Sequence, residues 1–222
     1  MAGAGAEPDA NAGVPPPTDG PAAPGTREPP APLSAALRDG TPLRLRPIRP
    51  DDKALLTEGI EHLSVRSRYR RFFVPIRRLS ERQLHEFTEV DYVDHFAWVA
   101  SVVGQEPAAI GVARYVRDAD DPLTAEVAVT VLDEWQGRGA GTVLLAATAL
   151  VARDHGTRRL RAEVLAENHP MIAVLLRLGG EVRERRQDML TVDLDIEANL
   201  ARLRQAIAAS AVVPPASGTP AP

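Results

Sequence analysis

Residues 124–155 constrain the fold more than any other stretch of this chain. Thr124–Val131 alternates valines with small and polar residues as a strand does, and Gly139–His155 carries an apolar stripe at helical spacing that Gly156 closes. Between them Gly137, Gly139 and Gly141 stand at alternate positions. Glycines so placed let backbone approach a ligand and leave N–H groups converging at a helix N-terminus, which suits a pyrophosphate. The loop Gln136-Gly137-Arg138-Gly139-Ala140-Gly141-Thr142 is not a Walker loop, which needs Gly-Lys-Ser/Thr. Thr142 also stands where a dinucleotide fingerprint counted from Gly137 has its last glycine. A tight turn with close helix packing is the alternative use of the same glycines.

The flanking sequence extends this unit into an α/β fold. Leu43–Arg49 alternates apolar and charged residues as a half-buried strand. Pro50-Asp51-Asp52 opens a helix to about Leu63, Val65–Phe73 is a second, and the capping box Ser80-Glu81-Arg82-Gln83 starts a third that ends near Val90. His95–Val103, Ala108–Arg117 and Thr124–Val131 then read as three successive strands. After the glycine-led helix come a strand at Arg159–Leu165, a helix at His169–Leu178, strands at Glu181–Arg186 and Met189–Asp195, and a last helix over Ile196–Ala209. A meander running into strand–helix–strand–helix–strand implies a single mixed central sheet of about seven strands flanked by helices.

Composition separates this domain, residues 41–208, from its ends. Of 20 prolines, nine fall in residues 1–32 and four in 209–222. Such Ala/Gly/Pro-rich segments bury too little surface to offset chain entropy, so both tails are expected to be disordered. The net charge is -4, which argues against nucleic acid as a partner because phosphate neutralisation needs a basic surplus. With no cysteine there is no disulfide, thiolate metal site or cysteine nucleophile, and the five histidines lack metal-ligand spacing, so no metal is expected. The N-terminus is not a secretory signal, and Val143–Ala152, the longest apolar stretch, is about half of a membrane span, so the expectation is a cytoplasmic protein with no membrane partner.

The loop Gln136-Gly137-Arg138-Gly139-Ala140-Gly141, set between a valine-rich strand and an amphipathic helix, resembles the Gln/Arg-x-x-Gly-x-Gly/Ala loop of the GNAT superfamily of N-acetyltransferases. The order of elements from Leu43 to Asp195 is similar as well. The resemblance implies a GNAT fold and acetyl-CoA as co-substrate, its pyrophosphate on Gln136, Gly137, Arg138, Gly139, Ala140, Gly141 and Thr142. It places the pantetheine arm along Val129, Thr130 and Val131, and matches Asn168 to the asparagine that opens the helix beside the pantetheine. Within the superfamily, the Glu126-x-Ala128-x-x-Val131 strand, Ser67-Arg68-Tyr69-Arg70-Arg71-Phe72-Phe73 and Val90-Asp91-Tyr92-Val93-Asp94 are similar to bacterial protein lysine acetyltransferases. Such enzymes often carry a further regulatory or acyl-CoA-synthetase-like domain, for which these 222 residues leave no room.

The chemistry of that family makes a demand on one side chain. An alkyl amine with a pKa near 10.4 is protonated at pH 7, and freeing it costs about 4.6 kcal/mol, so a positioned base has to take the proton. Glu126 is the candidate: an acid in a valine-rich strand at mid-sheet is costly to bury unless it is paired or functional, and the resemblance implies that it is the general base. An ion pair with one of the arginines is the alternative. Many superfamily members carry a tyrosine seven residues after the asparagine as general acid; that position is Leu175, with Tyr69, Tyr92 and Tyr115 as possible substitutes. The family's phenylalanine after that helix is Gly180, which implies weaker packing there. His95, beside Asp91 and Asp94, is a polar strand end or a support for the substrate site. Arg66, Arg68, Arg70, Arg71, Arg77, Arg78 and Arg82, with Tyr69, Phe72 and Phe73 interleaved, read as a solvated helix face, a surface for an acidic protein substrate, or a nucleic-acid patch. Three functions fit: acetylation of protein lysines, acetylation of a small amine, and acyl-CoA sensing without catalysis.

Overall fold

A computed structural model describes residues 28–211, with side chains described through 209. The two expected tails lie largely outside the described residues; of their parts inside, 28–32 carry no helix or strand and 209–211 belong to the last helix. Eight strands form one sheet: β1 (Leu33–Ala36), β2 (Pro42–Pro47), β3 (His95–Val102), β4 (Gly111–Arg117), β5 (Thr124–Val131), β6 (Arg159–Leu165), β7 (Glu181–Arg186) and β8 (Met189–Asp195). Their order is β1-β2-β3-β4-β5-β6-β8-β7. All neighbours are antiparallel except β5 and β6, the pair joined by the crossover helix that a parallel connection requires. The helices are α1 (Lys53–His62), α2 (Val65–Phe72), α3 (Glu81–Thr88), α4 (Ala140–Asp154), α5 (His169–Arg177) and α6 (Leu200–Ala211).

The eighth strand is the addition to the seven read from periodicity. Leu33-Ser34-Ala35-Ala36 is short and small, and it lies ahead of residue 41, where composition starts the domain. It pairs with β2 through a turn in which the Asp39 carboxylate accepts the Thr41 N–H at 3.0 Å. Helix α6 begins four residues later than expected and runs to Ala211.

Strand alternation distributes two cores to the two faces of the sheet. Phe96, Trp98, Ala113, Tyr115, Ala125 and Val127 pack in one cluster with α4. Ten of the fifteen residues of α4 are buried, and Leu144 and Leu145 have no exposed surface, so its near-continuous apolar sequence matches a helix enclosed by the sheet and its neighbours. Ala97, Val99 and Val112 face the other way, onto Leu56 and Ile60 of α1, Leu63 just after it, Phe72 of α2 and Leu84 of α3.

The centre of the sheet splits at β5. The parallel pairing with β6 covers only Thr124–Glu126 against Arg159–Arg161, and beyond it β6 continues with β8 alone. On its other side β5 stays paired with β4 to Val131. Asp118 N–H bonds the Thr124 carbonyl at 3.0 Å and Leu132 N–H the Ile110 carbonyl at 2.9 Å. Antiparallel alternation then turns the even-numbered backbone groups of β5 toward β4, and those of Val127, Val129 and Val131 toward the split.

Candidate active site

The split is one wall of a groove that receives its other walls from the glycine loop, α2 and α5. Val129, Thr130, Val131, Gln136, Gly137, Gly139, Gly141, Thr142 and Asn168 line it. Gly139, the N-cap of α4, holds φ at +103°, a conformation that suits glycine, and with Gly137 and Gly141 it lines the groove at the positive end of a fifteen-residue helix. Thr142 Oγ1 lies buried against the groove without a hydrogen-bond partner. The groove is lined by Arg38, Arg70, Arg71 and Arg177 and by no acid, in a chain whose net charge is negative. The site therefore combines a glycine-lined helix N-terminus, an unused hydroxyl, cationic side chains and an unpaired strand edge. That set fits a pyrophosphate followed by an amide-bearing arm, the two halves of a CoA thioester.

Two of the expected cofactor residues send their side chains elsewhere. Arg138 bonds Asp39 at 2.6 and 2.9 Å and stacks on Trp135 with its guanidinium carbon 4.4 Å from the ring centroid. It clamps the loop to the β1–β2 turn, and Ala140 is buried in the core. Only their backbone remains for a ligand. Gln136 donates to the Val131 carbonyl at 2.9 Å and to Ser67 Oγ at 3.3 Å, which ties the loop to both β5 and α2. Asp133 reinforces this tie, accepting from Ser64 N–H, Ser64 Oγ and Ser67 Oγ at 2.8–2.9 Å. Asn168 caps α5, its Oδ1 accepting the Met171 N–H at 3.4 Å, so its amide NH2 is the part left for the groove.

Glu126 stands where β5 and β6 part, and it is solvent-accessible rather than buried as a mid-sheet acid is expected to be. Strand periodicity does not show where two strands separate. Protein around the carboxyl still desolvates it and raises its pKa; Arg71 opposes the rise and Glu163 adds to it. No arginine lies within 4.0 Å of Glu126 among the described residues, so the contact ion pair is not made. Arg114, on the same face as Glu126, is buried and has its pKa lowered to about 9 by desolvation and by Arg71. It stacks on Phe87 at 4.2 Å and bonds the Phe87 carbonyl and His95 Nε2. Arginine only donates, so Nε2 accepts and the His95 proton sits on Nδ1. Burial, then Arg114, lowers the His95 pKa to about 3, which makes the ring a neutral acceptor. His95 thus supports Arg114.

Several other residues take places that the sequence did not disclose. Leu175 is 1% exposed within the core under α5. Tyr92 bonds the Ile48 carbonyl and Tyr115 the Val93 carbonyl, so both hydroxyls are held away from the groove lining. A Cβ at Gly180 would lie 2.9 Å from the Leu175 carbonyl and 3.0 Å from Val192, so glycine permits close packing there rather than weakening it. The arginine run divides: Arg66, Arg77, Arg78 and Arg82 are exposed, whereas Arg68 bonds the Ile60 and Leu63 carbonyls at the end of α1. Arg70 and Arg71 turn to the groove, with Arg70 near Glu167 at its rim. Arg38, Arg70, Arg71 and Arg177 are groove residues missed in the sequence; the helical spacing of Ser67, Arg70 and Arg71 is the one signal that places a shared face.

This geometry agrees with comparisons to known proteins. A family model described as an acetyltransferase (GNAT) domain matches residues 42–181, and the chain belongs to that family of acetyltransferases. Within it, the chain is similar to the acetyltransferase Pat of Mycolicibacterium smegmatis, 38% identical over 149 residues, which cover 67% of this chain and 44% of that protein. The chain thus spans less than half of the length of that relative. The solved GNAT domain of S. lividans PAT is 38% identical, with a TM-score of 0.71, over 76% of this chain and 99% of that one. The same fold, at 20% identity and a TM-score of 0.58, occurs in yncA of Salmonella typhimurium, solved with its cofactor acetyl-CoA, over 69% of this chain and 94% of that one. No helix among the described residues is long and apolar enough to cross a membrane.

Proposed function

We propose that this domain transfers the acetyl group of acetyl-CoA directly to the ε-amine of protein lysines, with Glu126 as general base. The observation that carries the reading is the position of Glu126 at the point where β6 leaves β5, three residues ahead of Val129, the first β5 residue to line the groove. Acetyl-CoA supplies a thioester carbon open to attack by a neutral amine. The backbone donors of Gly137–Gly141 hold the pyrophosphate, since the Thr142 N–H already donates to the Gly139 carbonyl, and the free edge at Val127 and Val129 pairs with the amides of the pantetheine arm. Thr142 Oγ1 and the Asn168 amide supply further polar contacts.

Glu126 accepts the ammonium proton. The freed nitrogen forms its bond to the carbonyl carbon as the carbon–sulfur bond breaks, and Glu126 later returns the proton to solvent. Glu126 is solvent-accessible, so relay to water through the open side of the site completes the transfer. With Leu175 in the core, Tyr92 and Tyr115 engaged, and Tyr69 exposed on α2 outside the groove lining, none of the three tyrosine hydroxyls serves the leaving thiolate. A thiol with a pKa of about 8.5 leaves without one, taking its proton from water. Similarity to Pat favours a protein lysine as the acceptor. Incubating the protein with acetyl-CoA and a cell lysate, then mapping acetyllysine by mass spectrometry, tests this; the expected result is new acetyllysine that depends on the protein and on acetyl-CoA. Consumption of acetyl-CoA with acetyl appearing only on small amines would transfer the reading to a small-molecule acceptor.

A further inference from the structure

A second cavity opens on the Glu126 face of the sheet, under α1 and α2, and it shares Arg71 and Thr130 with the groove. Most of its wall is apolar, with Leu55, Ile60, Phe72 and Phe87 among the lining residues. Its wall also includes two arginines, Arg71 and Arg114. Arg114 is already bonded and stacked. Arg71 is different: among the described residues its guanidinium makes no hydrogen bond and no ion pair within 4.0 Å, and its one close polar-to-ring contact is with Phe72 at 4.9 Å.

The local charge count is unbalanced. Arg71 is close enough to Arg114 to lower its tendency to stay charged, His95 is neutral, and among the described residues Glu126 is the one carboxylate that acts on Arg71. Desolvated cations without a partner are costly, and a planar guanidinium is best satisfied by a carboxylate that takes two of its N–H groups. When Glu126 takes a proton from an amine, that deficit grows.

We propose that this second cavity is a subsite for a carboxylate carried by the acceptor, bound by Arg71 while the acceptor's amine meets Glu126. This subsite rests on the reading above, in which Glu126 marks the acceptor's position. The apolar wall suits the methylene stem that separates the two charged ends of a lysine-like molecule. Two sources share this chemistry: the α-carboxylate of a free or N-acylated amino acid, and an acidic side chain next to the acceptor lysine in a protein.

Calorimetric titration of the full chain, saturated with CoA so that no acetyl transfer occurs, separates them. The probes are Nα-acetyl-lysine against its neutral amide, and a lysine peptide flanked by glutamates against the same peptide flanked by glutamines. The expected result is about tenfold or greater preference for the carboxylate in one pair, the usual worth of a charge-assisted bond. The preferred pair identifies the source. Arg71→Gln removes the preference and Arg71→Lys, which keeps charge without the fork, retains part of it. Glu126→Gln, which deletes the competing carboxylate, strengthens it. A wild-type protein that binds both members of both pairs alike overturns the subsite without any variant. So does Arg71→Gln that keeps the preference but loses CoA affinity, since Arg71 would then serve the donor. The subsite is thus decided by binding alone, whereas failure of the general-base reading shows only as unchanged turnover in Glu126→Gln.

Discussion

Gly139 and Gly141 serve the loop in different ways, and substituting each gives a separable outcome. At Gly141 the nearest neighbour of an added Cβ is Val131 Cγ2 at 4.0 Å, ordinary van der Waals contact, and the position lines the groove. Valine is also a slightly better helix residue than glycine, by a few tenths of a kcal/mol, roughly, in the first turn of α4. Gly141→Val is therefore expected to fold with an unchanged melting temperature. Its bulk would push a pyrophosphate off the loop; losing two backbone N–H bonds to a charged group forfeits about 1.5–3 kcal/mol each. Together that is roughly 10²- to 10⁴-fold in acetyl-CoA affinity. At Gly139 the backbone holds φ at +103° and an added Cβ meets Arg38 Cγ at 3.2 Å. Gly139→Ala is expected to cost about 1–2 kcal/mol of stability as well as affinity. Thermal unfolding and isothermal calorimetry on both variants check the pair. Unchanged acetyl-CoA affinity in a folded Gly141→Val protein would refute the assignment of the loop to the pyrophosphate.

Burial lowers the His95 pKa from 6.5 to about 3, so the unfolded chain binds one more proton than the folded one between those values. Stability from this group is complete above pH 6.5 and falls by up to about 1.4 kcal/mol per pH unit below it; His95→Gln, which keeps an acceptor for Arg114, should flatten that slope in urea titrations between pH 4 and 6.5. Starting the chain at residue 41 removes β1 and the Asp39 partner of Arg138, whereas starting it at residue 33 keeps both. The shorter chain should unfold several degrees lower and bind acetyl-CoA more weakly than the longer one, as differential scanning fluorimetry and calorimetry would show.

What was legible in the sequence followed from local chemistry. Alternation gave seven strands their places, Ser80 and Gln83 announced the cap of α3, and Gly137 to Gly141 announced a backbone-lined anion site ahead of α4. Features set by tertiary packing were not legible. Leu33–Ala36 holds no β-branched or aromatic residue to signal a strand and is one because β2 offers it an edge. The exposure of Glu126 depends on β6 leaving β5 after Arg161, and nothing in either strand's own residues marks that point. Arg138 lies inside the motif, yet its side chain belongs to the β1–β2 turn. Arg71 looks like one member of a basic run until the fold sets it between two cavities and beside Arg114.

Glu126→Gln is the decisive substitution for the general-base mechanism. The amide keeps the side chain's shape and cannot take a proton, so the cost of freeing the amine, about 4.6 kcal/mol at pH 7, is left to solvent. Steady-state acetylation of a lysine peptide, followed from pH 6 to 10, should show acetyl-CoA binding unchanged and kcat/KM reduced by roughly 10²- to 10⁴-fold at pH 7. The gap should narrow as pH rises, because free amine then forms unaided. In the wild type, activity should fall on the acid side as the pH drops through a Glu126 pKa that desolvation holds above its ordinary 4.5. Full activity of the variant at pH 7 would contradict the mechanism and leave Glu126 a long-range charge partner of Arg71.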